Sequence, residues 1–309
     1  MEQPPTWDAP SSDVVADLGN PGAAQRTTGW ADIDRQIGRR TMTTYDVLKQ
    51  RAWAGRAEAY AQTFGLLCAH TIHPLLDAVH IRPGVRLLDV GTGTGAVAAA
   101  ALARGARVTA VDPDPDMRRL AVRAAPGAEV LSGALPALAF DDATFDAVVA
   151  NFVVNHVGDP LAGVVELARV ARPRGWVAVS IWPRPLTELH RLWEDVMEAS
   201  GVLGPPVATL DPGNDFARTS EGLERLLTRA GLQGVEATTP SFVHAVDPEV
   251  WWSGPARGVA SIGSVVEAQG PDVATQMKYH YDRISRRYLG ADGLLHLPTA
   301  AIIGRGRAL

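Results

Sequence analysis

The 309-residue chain has one cysteine, Cys68, two lysines, Lys49 and Lys278, and 6% aromatic residues. A lone cysteine excludes an intrachain disulfide and a zinc site built on cysteine pairs. Long apolar runs are also missing: the longest, Ala96 to Ala103, is eight residues and stops at Arg104, against the roughly 18 to 20 that a membrane span needs. Nor is there an excess of positive charge, since 29 Lys and Arg face 34 Asp and Glu, a formal charge of -5. Neutralising a phosphate backbone takes clustered basic residues, so nucleic acid is not expected as a partner. The opening Met1-Glu2-Gln3-Pro4-Pro5 is not a basic-then-apolar leader, and a cytoplasmic protein with no membrane partner is expected. Near-exclusive use of arginine over lysine suggests a GC-rich genome and a specialised-metabolite setting.

What is present is ample apolar material, 46% of the chain, enough for one large domain or a core with an elaborated cap. Residues 1–28 are rich in Pro, Ser, Gly and Asp without apolar periodicity and read as a flexible arm. Residues 29–80 read as a helical N-terminal cap, with Trp53, Ala57, Tyr60, Phe64, Leu67 and Cys68 on one face of a long amphipathic helix. From 81 to 182, strand and helix patterns alternate, with strands at 85–90, 107–112, 129–131, 145–151 and 176–182. Such alternation predicts an α/β fold, a Rossmann-like doubly wound, mostly parallel seven-stranded sheet covered on both faces. Residues 183–309 complete that core through a strand at 234–244 and a final strand near 298–303, interrupted by lid insertions at 183–218 and 245–295. Both insertions carry aromatic residues, among them Trp193, Trp251, Trp252, Tyr279 and Tyr281, with Trp182 at the preceding strand end. They are expected to close over a ligand and furnish an acceptor pocket.

The segment Asp89-Val90-Gly91-Thr92-Gly93-Thr94-Gly95 lies at a strand-to-helix junction. Glycines let a ligand pass close to the backbone, and the helix start offers unpaired N–H groups. Gly91, Gly93 and Ala96 also fit a relaxed dinucleotide fingerprint. Two acids separate the alternatives. Asp89 sits inside the strand end, where a buried carboxylate needs a partner; an ammonium group would serve, and a pyrophosphate would be repelled. Asp112 ends the next strand, placed to accept hydrogen bonds from both hydroxyls of a ribose, although an Asx turn before Pro113 explains the same residue. Ammonium at one strand end and ribose at the next describe S-adenosylmethionine.

With these residues the chain resembles the class I S-adenosylmethionine-dependent methyltransferases, in the small-molecule branch similar to the menaquinone and ubiquinone methyltransferases. The resemblance extends over Trp53 to Trp182 and includes Trp53-x-x-x-Ala57-x-x-Tyr60, the Asp89 glycine loop, Val111-Asp112, Phe140 to Asp146 and Arg172-Pro173-Arg174-Gly175. It implies that Asp89 holds the methionine amino group, that Gly91, Thr92, Gly93 and Gly95 underlie the cofactor, and that Asp112 with Pro113 binds the ribose. It further implies Met117 beside the adenine, Asn151 and Phe152 closing the pocket at the fourth strand, and Tyr60 covering it. Gly133-Ala134 stands where such sequences often carry Gly-Asp, so the adenine contact there falls to the backbone at Ala134 and Leu135. Arg174 replaces the usual glycine of its turn.

His156, after the fourth strand, is the candidate general base, because histidine titrates near neutral pH; a packing role competes with it. No paired acids follow that strand, so no metal site is expected and a divalent-metal mechanism is disfavoured. The expected activity is methyl transfer from S-adenosylmethionine to a small, apolar or aromatic acceptor, at oxygen before carbon or nitrogen. A cofactor-binding scaffold or pericyclase without methyl transfer, and an NAD-dependent oxidoreductase, are the alternatives. A homodimer is left open.

Overall fold

The computed structural model describes residues 43–204 and 209–309. The expected arm at 1–28, the first part of the cap and residues 205–208 of the first insertion lie outside the described residues. The strands are β1 (Arg86–Val90), β2 (Arg107–Val111), β3 (Glu129–Leu131), β4 (Phe145–Asn151), β5 (Ala171–Ile181), β6 (Gln233–Thr238), β7 (Ser241–Val246), β8 (Leu295–Ala300) and β9 (Ile302–Arg307). Seven form one sheet in the order β3-β2-β1-β4-β5-β9-β6. The first five are parallel, and β9 runs antiparallel between β5 and β6. This is the expected doubly wound, mostly parallel α/β sheet.

The helices are α1 (Thr44–Trp53), α2 (Ala57–Gln62), α3 (Phe64–Cys68), α4 (Ile72–Ala78), α5 (Ala96–Ala103), α6 (Pro115–Ala124), α7 (Pro160–Val170), α8 (Glu188–Ala199), α9 (Ser220–Arg229), α10 (Pro248–Ala256), α11 (Ala260–Glu267) and α12 (Pro271–Ile284). Three of them open identically: Asp114, Asp159 and Asp247 each cap a helix whose first residue is proline. The side chain takes up orphan N–H groups while proline supplies a preset φ and no N–H to lose. Helices α4 and α5 bury Leu75, Leu76, Val97, Ala98 and Ala101 against β1, β2 and β4. On the other face of the sheet, α7 packs against β4 and β5, and α9 against β6 and β9.

Three expectations are corrected. The long helix over 53–68 is broken into α1, α2 and α3, because Gly55 takes a φ of 75° and Thr63 sits at φ -132°, ψ -93°, outside helical geometry. The strand at 234–244 is two strands in two sheets. Pro240, which has no N–H for a ladder, lies between β6 and β7, and the chain leaves the core sheet there. The final strand near 298–303 is likewise two, β8 and β9, parted at Ala301. Since β7 pairs with β8 and β6 with β9, both segments cross between sheets at the same level.

The insertions are packed, not loose. Leu189, Leu192 and Val196 of α8, Trp251 of α10, Ile262 of α11, and Met277 and Tyr281 of α12 share a second buried cluster with Leu297 of β8 and Leu67 of α3. Each such side chain contributes about 1.5–3 kcal/mol by leaving water, so the cap has a core of its own. Through Leu67 that core reaches the helix that roofs the glycine loop.

Candidate functional site

The register of the sheet builds the site. Asp89 of β1 pairs with Ala110 of β2, and Asp112 directly follows β2 at Val111, so the two carboxylates end side by side as expected. The loop after β1 is tied to β2 by Gly91 and Thr92 N–H groups donating to the Val111 carbonyl, at 2.8 and 3.0 Å. Gly91 has φ 67°, and a Cβ there would collide with the Val153 side chain. At Gly95, φ 87°, a Cβ would lie 2.7 Å from Ala121 Cα of α6. The first glycine therefore lets β1 approach the turn after β4, and the third lets α5 approach α6.

Asp89 is 1% exposed. Its Oδ2 accepts from the Thr92 hydroxyl at 2.6 Å, while Oδ1 is buried with no partner among the described residues. Burial pushes this carboxyl up to about 7, against the Thr92 hydrogen bond and the nearby Ala98 N–H, with the neighbouring Asp112 adding repulsion. Asp112 is also buried and is pushed up to about 6 by burial, against hydrogen bonds from the Asp114 and Gly93 N–H groups, both 2.9 Å. The Asx turn and the strand-end acid are thus the same residue. Each Asp112 oxygen has a lone pair left for a hydroxyl donor.

Over this loop lies the cap. A narrow cleft is lined by Gly91, Thr92, Gly93 and Asn151 below and by Tyr60 and Cys68 above, with Gly65, Ala69, Ile72, Thr94, Ala96 and Val97 completing the wall. Tyr60 and Cys68 share a hydrogen bond, and burial raises both; the thiol stands at about 12, un-ionised and unreactive. Asn151 locks cap to sheet. Its Oδ1 accepts from the Thr71 hydroxyl at 2.8 Å and the Ser180 hydroxyl at 2.6 Å, and its Nδ2 donates to the Cys68 carbonyl at 3.3 Å.

Among the residues named from the sequence, Tyr60, Gly91, Thr92, Gly93 and Asn151 meet at the cleft. Gly95 backs onto α6. Pro113 and Met117, the latter 4% exposed, lie at the start of α6 beside Asp112, and Ala134 and Leu135 lie beyond β3. Phe152 turns away: it stacks on Trp182 with ring centroids 4.0 Å apart. His156 is separated from the cleft by two rings, packing edge-on against Trp53 at 5.8 Å, which packs edge-on against Tyr60 at 5.5 Å. Its Nδ1 is buried without a partner, and burial, with Lys49 adding to it, lowers its pKa to about 4. Sequence reasoning missed Cys68, Ala69 and Ile72 as cleft walls and Thr71 and Ser180 as partners of Asn151. Nothing in the sequence distinguishes them from ordinary helix and strand positions.

A tightly closed glycine loop, a buried carboxylate oxygen short of a cation, and a second acid at the adjacent strand end fit the methionine and ribose ends of S-adenosylmethionine. Comparison with known proteins agrees. Residues 88–179 match the family model described as a methyltransferase domain. The chain is 34% identical over 111 residues to a demethylmenaquinone methyltransferase of Renibacterium salmoninarum, covering 36% of this chain and 47% of that protein. It is 36% identical over 115 residues to a malonyl-[acyl-carrier protein] O-methyltransferase of Serratia marcescens, covering 37% and 45%. The chain thus spans about half the length of the curated relatives it matches. Among solved structures, a methyltransferase from an antibiotic biosynthesis pathway of Anabaena variabilis superposes with TM-score 0.55 at 18% identity, over 76% of this chain and 96% of that one. The YcgJ protein of Bacillus subtilis gives TM-score 0.51 at 18% identity, over 77% and 97%; both likenesses concern the fold alone. Residues 88–179 thus match a methyltransferase domain, and that family implies S-adenosylmethionine as the cofactor.

Proposed function

We propose that the chain transfers a methyl group to a small, apolar or aromatic acceptor, at oxygen, in a specialised-metabolite pathway. The observation that carries the cofactor half of this reading is the buried Asp89 Oδ1, which makes no hydrogen bond of normal geometry among the described residues. When bound, S-adenosylmethionine supplies an electrophilic sulfonium methyl. Asp89 would hold the amino group at the end of β1, Gly91 and Gly93, lacking side chains, would let the ligand lie close against the backbone, and Asp112 would fix the ribose. Tyr60 and Cys68 would exclude water from above. Alignment of acceptor and methyl in such a dry site supplies most of the rate in a reaction of this kind.

The acceptor half rests on the aromatic cap and on the O-methyltransferase among the relatives. His156 is neutral at pH 7 and, with a pKa of about 4, too weak a base to remove a proton from an alcohol. An acceptor that ionises unaided fits better, and we assign His156 to packing against Trp53 instead of proton transfer. The arginine-over-lysine usage supports the pathway.

The test is incubation of the full chain with S-adenosylmethionine labelled in its methyl group and an extract of the host cell. A labelled small product is expected. Retention of all label on the cofactor, with S-adenosylhomocysteine still bound in the micromolar range, would support a scaffold or pericyclase instead.

A further inference from the structure

At the opposite end of the sheet from the glycine loop, a second cavity of about 310 Å³ opens where β5 begins and β9 ends. That volume lies at the lower limit of about 300 Å³ for small-ligand sites. Four arginines line it, Arg82, Arg172, Arg174 and Arg307, against the single carboxylate of Asp146. That carboxylate is already shared: Arg86 holds it at 3.2 Å and Arg172 at 2.9 Å. Arg82 and Arg174 make no side-chain hydrogen bond or ion pair with any described residue. All four arginines are solvent-exposed, so water and salt screen their mutual repulsion and their guanidinium groups can be reached from solution.

Two features mark the gathering as built. Arg307 lies over the Trp176 ring, 4.1 Å from its centroid, with Arg305 at 5.0 Å, and its Nη1 donates to the Arg174 carbonyl at 3.3 Å; these contacts orient the guanidinium while its remaining N–H groups can still meet a ligand. Arg174 has φ 64°, a left-handed conformation that glycine adopts freely and an L side chain does not. Strain at such a position points to a role for the side chain it introduces, and the side chain here is an unpaired guanidinium on the rim of an arginine-lined cavity.

We propose that this cavity is a second ligand site, separate from the cofactor cleft, that takes a compact, multiply charged phosphate anion of the pyrophosphate class. Guanidinium forks match phosphate oxygens in pairs, and one carboxylate shared between two arginines leaves an excess of donors for an anion with more than one charge. The proposal does not depend on methyl transfer.

The test is titration calorimetry of the full chain with inorganic pyrophosphate at 0.1 M salt, with and without S-adenosylhomocysteine. Saturable 1:1 binding is expected, at least roughly ten-fold weaker in Arg174→Gly and in Arg82→Met, with S-adenosylhomocysteine affinity within about three-fold of wild type in both. Arg174→Gly relieves backbone strain, so its loss of binding would not come from misfolding. No saturable heat, equal binding by wild type and both variants, or displacement of pyrophosphate by S-adenosylhomocysteine would each overturn the proposal. The last would place the anion at the glycine loop.

Discussion

Two residues carry charges that the surrounding chain leaves unbalanced. Asp89 is held near pH 7 by burial, and a cationic ligand group would have to draw it into the ionised form. A carboxyl whose folded pKa is raised above the unfolded value near 4 adds stability that is fully present at low pH and lost as pH rises through about 7. The Asp89 contribution to stability, read as the difference between wild type and Asp89→Ala, should therefore fall between pH 4 and 8, opposite in sign to that of the buried neutral His156, and S-adenosylhomocysteine should bind about ten-fold more tightly at pH 8 than at pH 6, because about a tenth of Asp89 is ionised at pH 6. Asp89→Ala should abolish most of this pH dependence and weaken binding by at least roughly ten-fold, about 1.4 kcal/mol. Calorimetry at the two pH values checks both; pH-independent affinity in the wild type would show that Asp89 is not the cation's partner. Arg174 is the second residue. Replacement by glycine at its φ of 64° should raise stability to urea by up to about 1 kcal/mol, the cost of left-handed backbone less the added freedom of the unfolded chain.

Among the elements, the sequence reads well where local chemistry dictates the backbone. The Asp89 glycine loop and the strand–helix alternation over 81–182 depend on neighbours in sequence, and both lie where they are expected. The crossings at Pro240 and Ala301 depend on which sheet each segment joins, a pairing 49 to 74 residues away that local pattern does not encode, although Pro240 marks one of the two points. The same limit governs Trp251. Sequence position in an insertion suggests an acceptor-pocket wall, but the ring is fully buried between Phe64, centroids 4.6 Å apart, His244 at 5.2 Å and Trp193 at 6.0 Å. Trp251→Ala should then cost about 3–5 kcal/mol in chemical denaturation as a cavity opens in the cap core, with Trp252→Ala milder because that ring is only partly buried. Unchanged stability with lost turnover would instead make Trp251 a pocket wall.

At the scale of the whole molecule, the two cores meet at the cleft over the glycine loop. The space between its walls admits about 30 Å³, on a measure where one water needs about 10–15 Å³, so roof and floor lie close together where the methionine end of the proposed cofactor would sit. The two walls are not equally held. The floor is fixed: Gly91 and Thr92 are bound to Val111, Gly93 to Asp112 and Thr92 to Asp89. The roof consists of α2 and α3, six and five residues long and parted at Thr63, shorter than a helix that holds itself together. Its ties to the sheet are the bonds from Asn151 to Cys68 and Thr71 and the packing of Leu67 in the cap core. Backbone N–H groups of residues 57–68 should therefore exchange with deuterium faster than those of residues 89–97 in the free chain. Saturating S-adenosylhomocysteine should slow them at least roughly ten-fold, about 1.4 kcal/mol of added local stability, and leave β6 and β9 unaffected. NAD should change neither segment, since a pyrophosphate would meet the Asp89 carboxylate. Protection appearing in residues 89–97 with residues 57–68 unchanged would mean that the glycine loop, not the short helices, is the wall that moves.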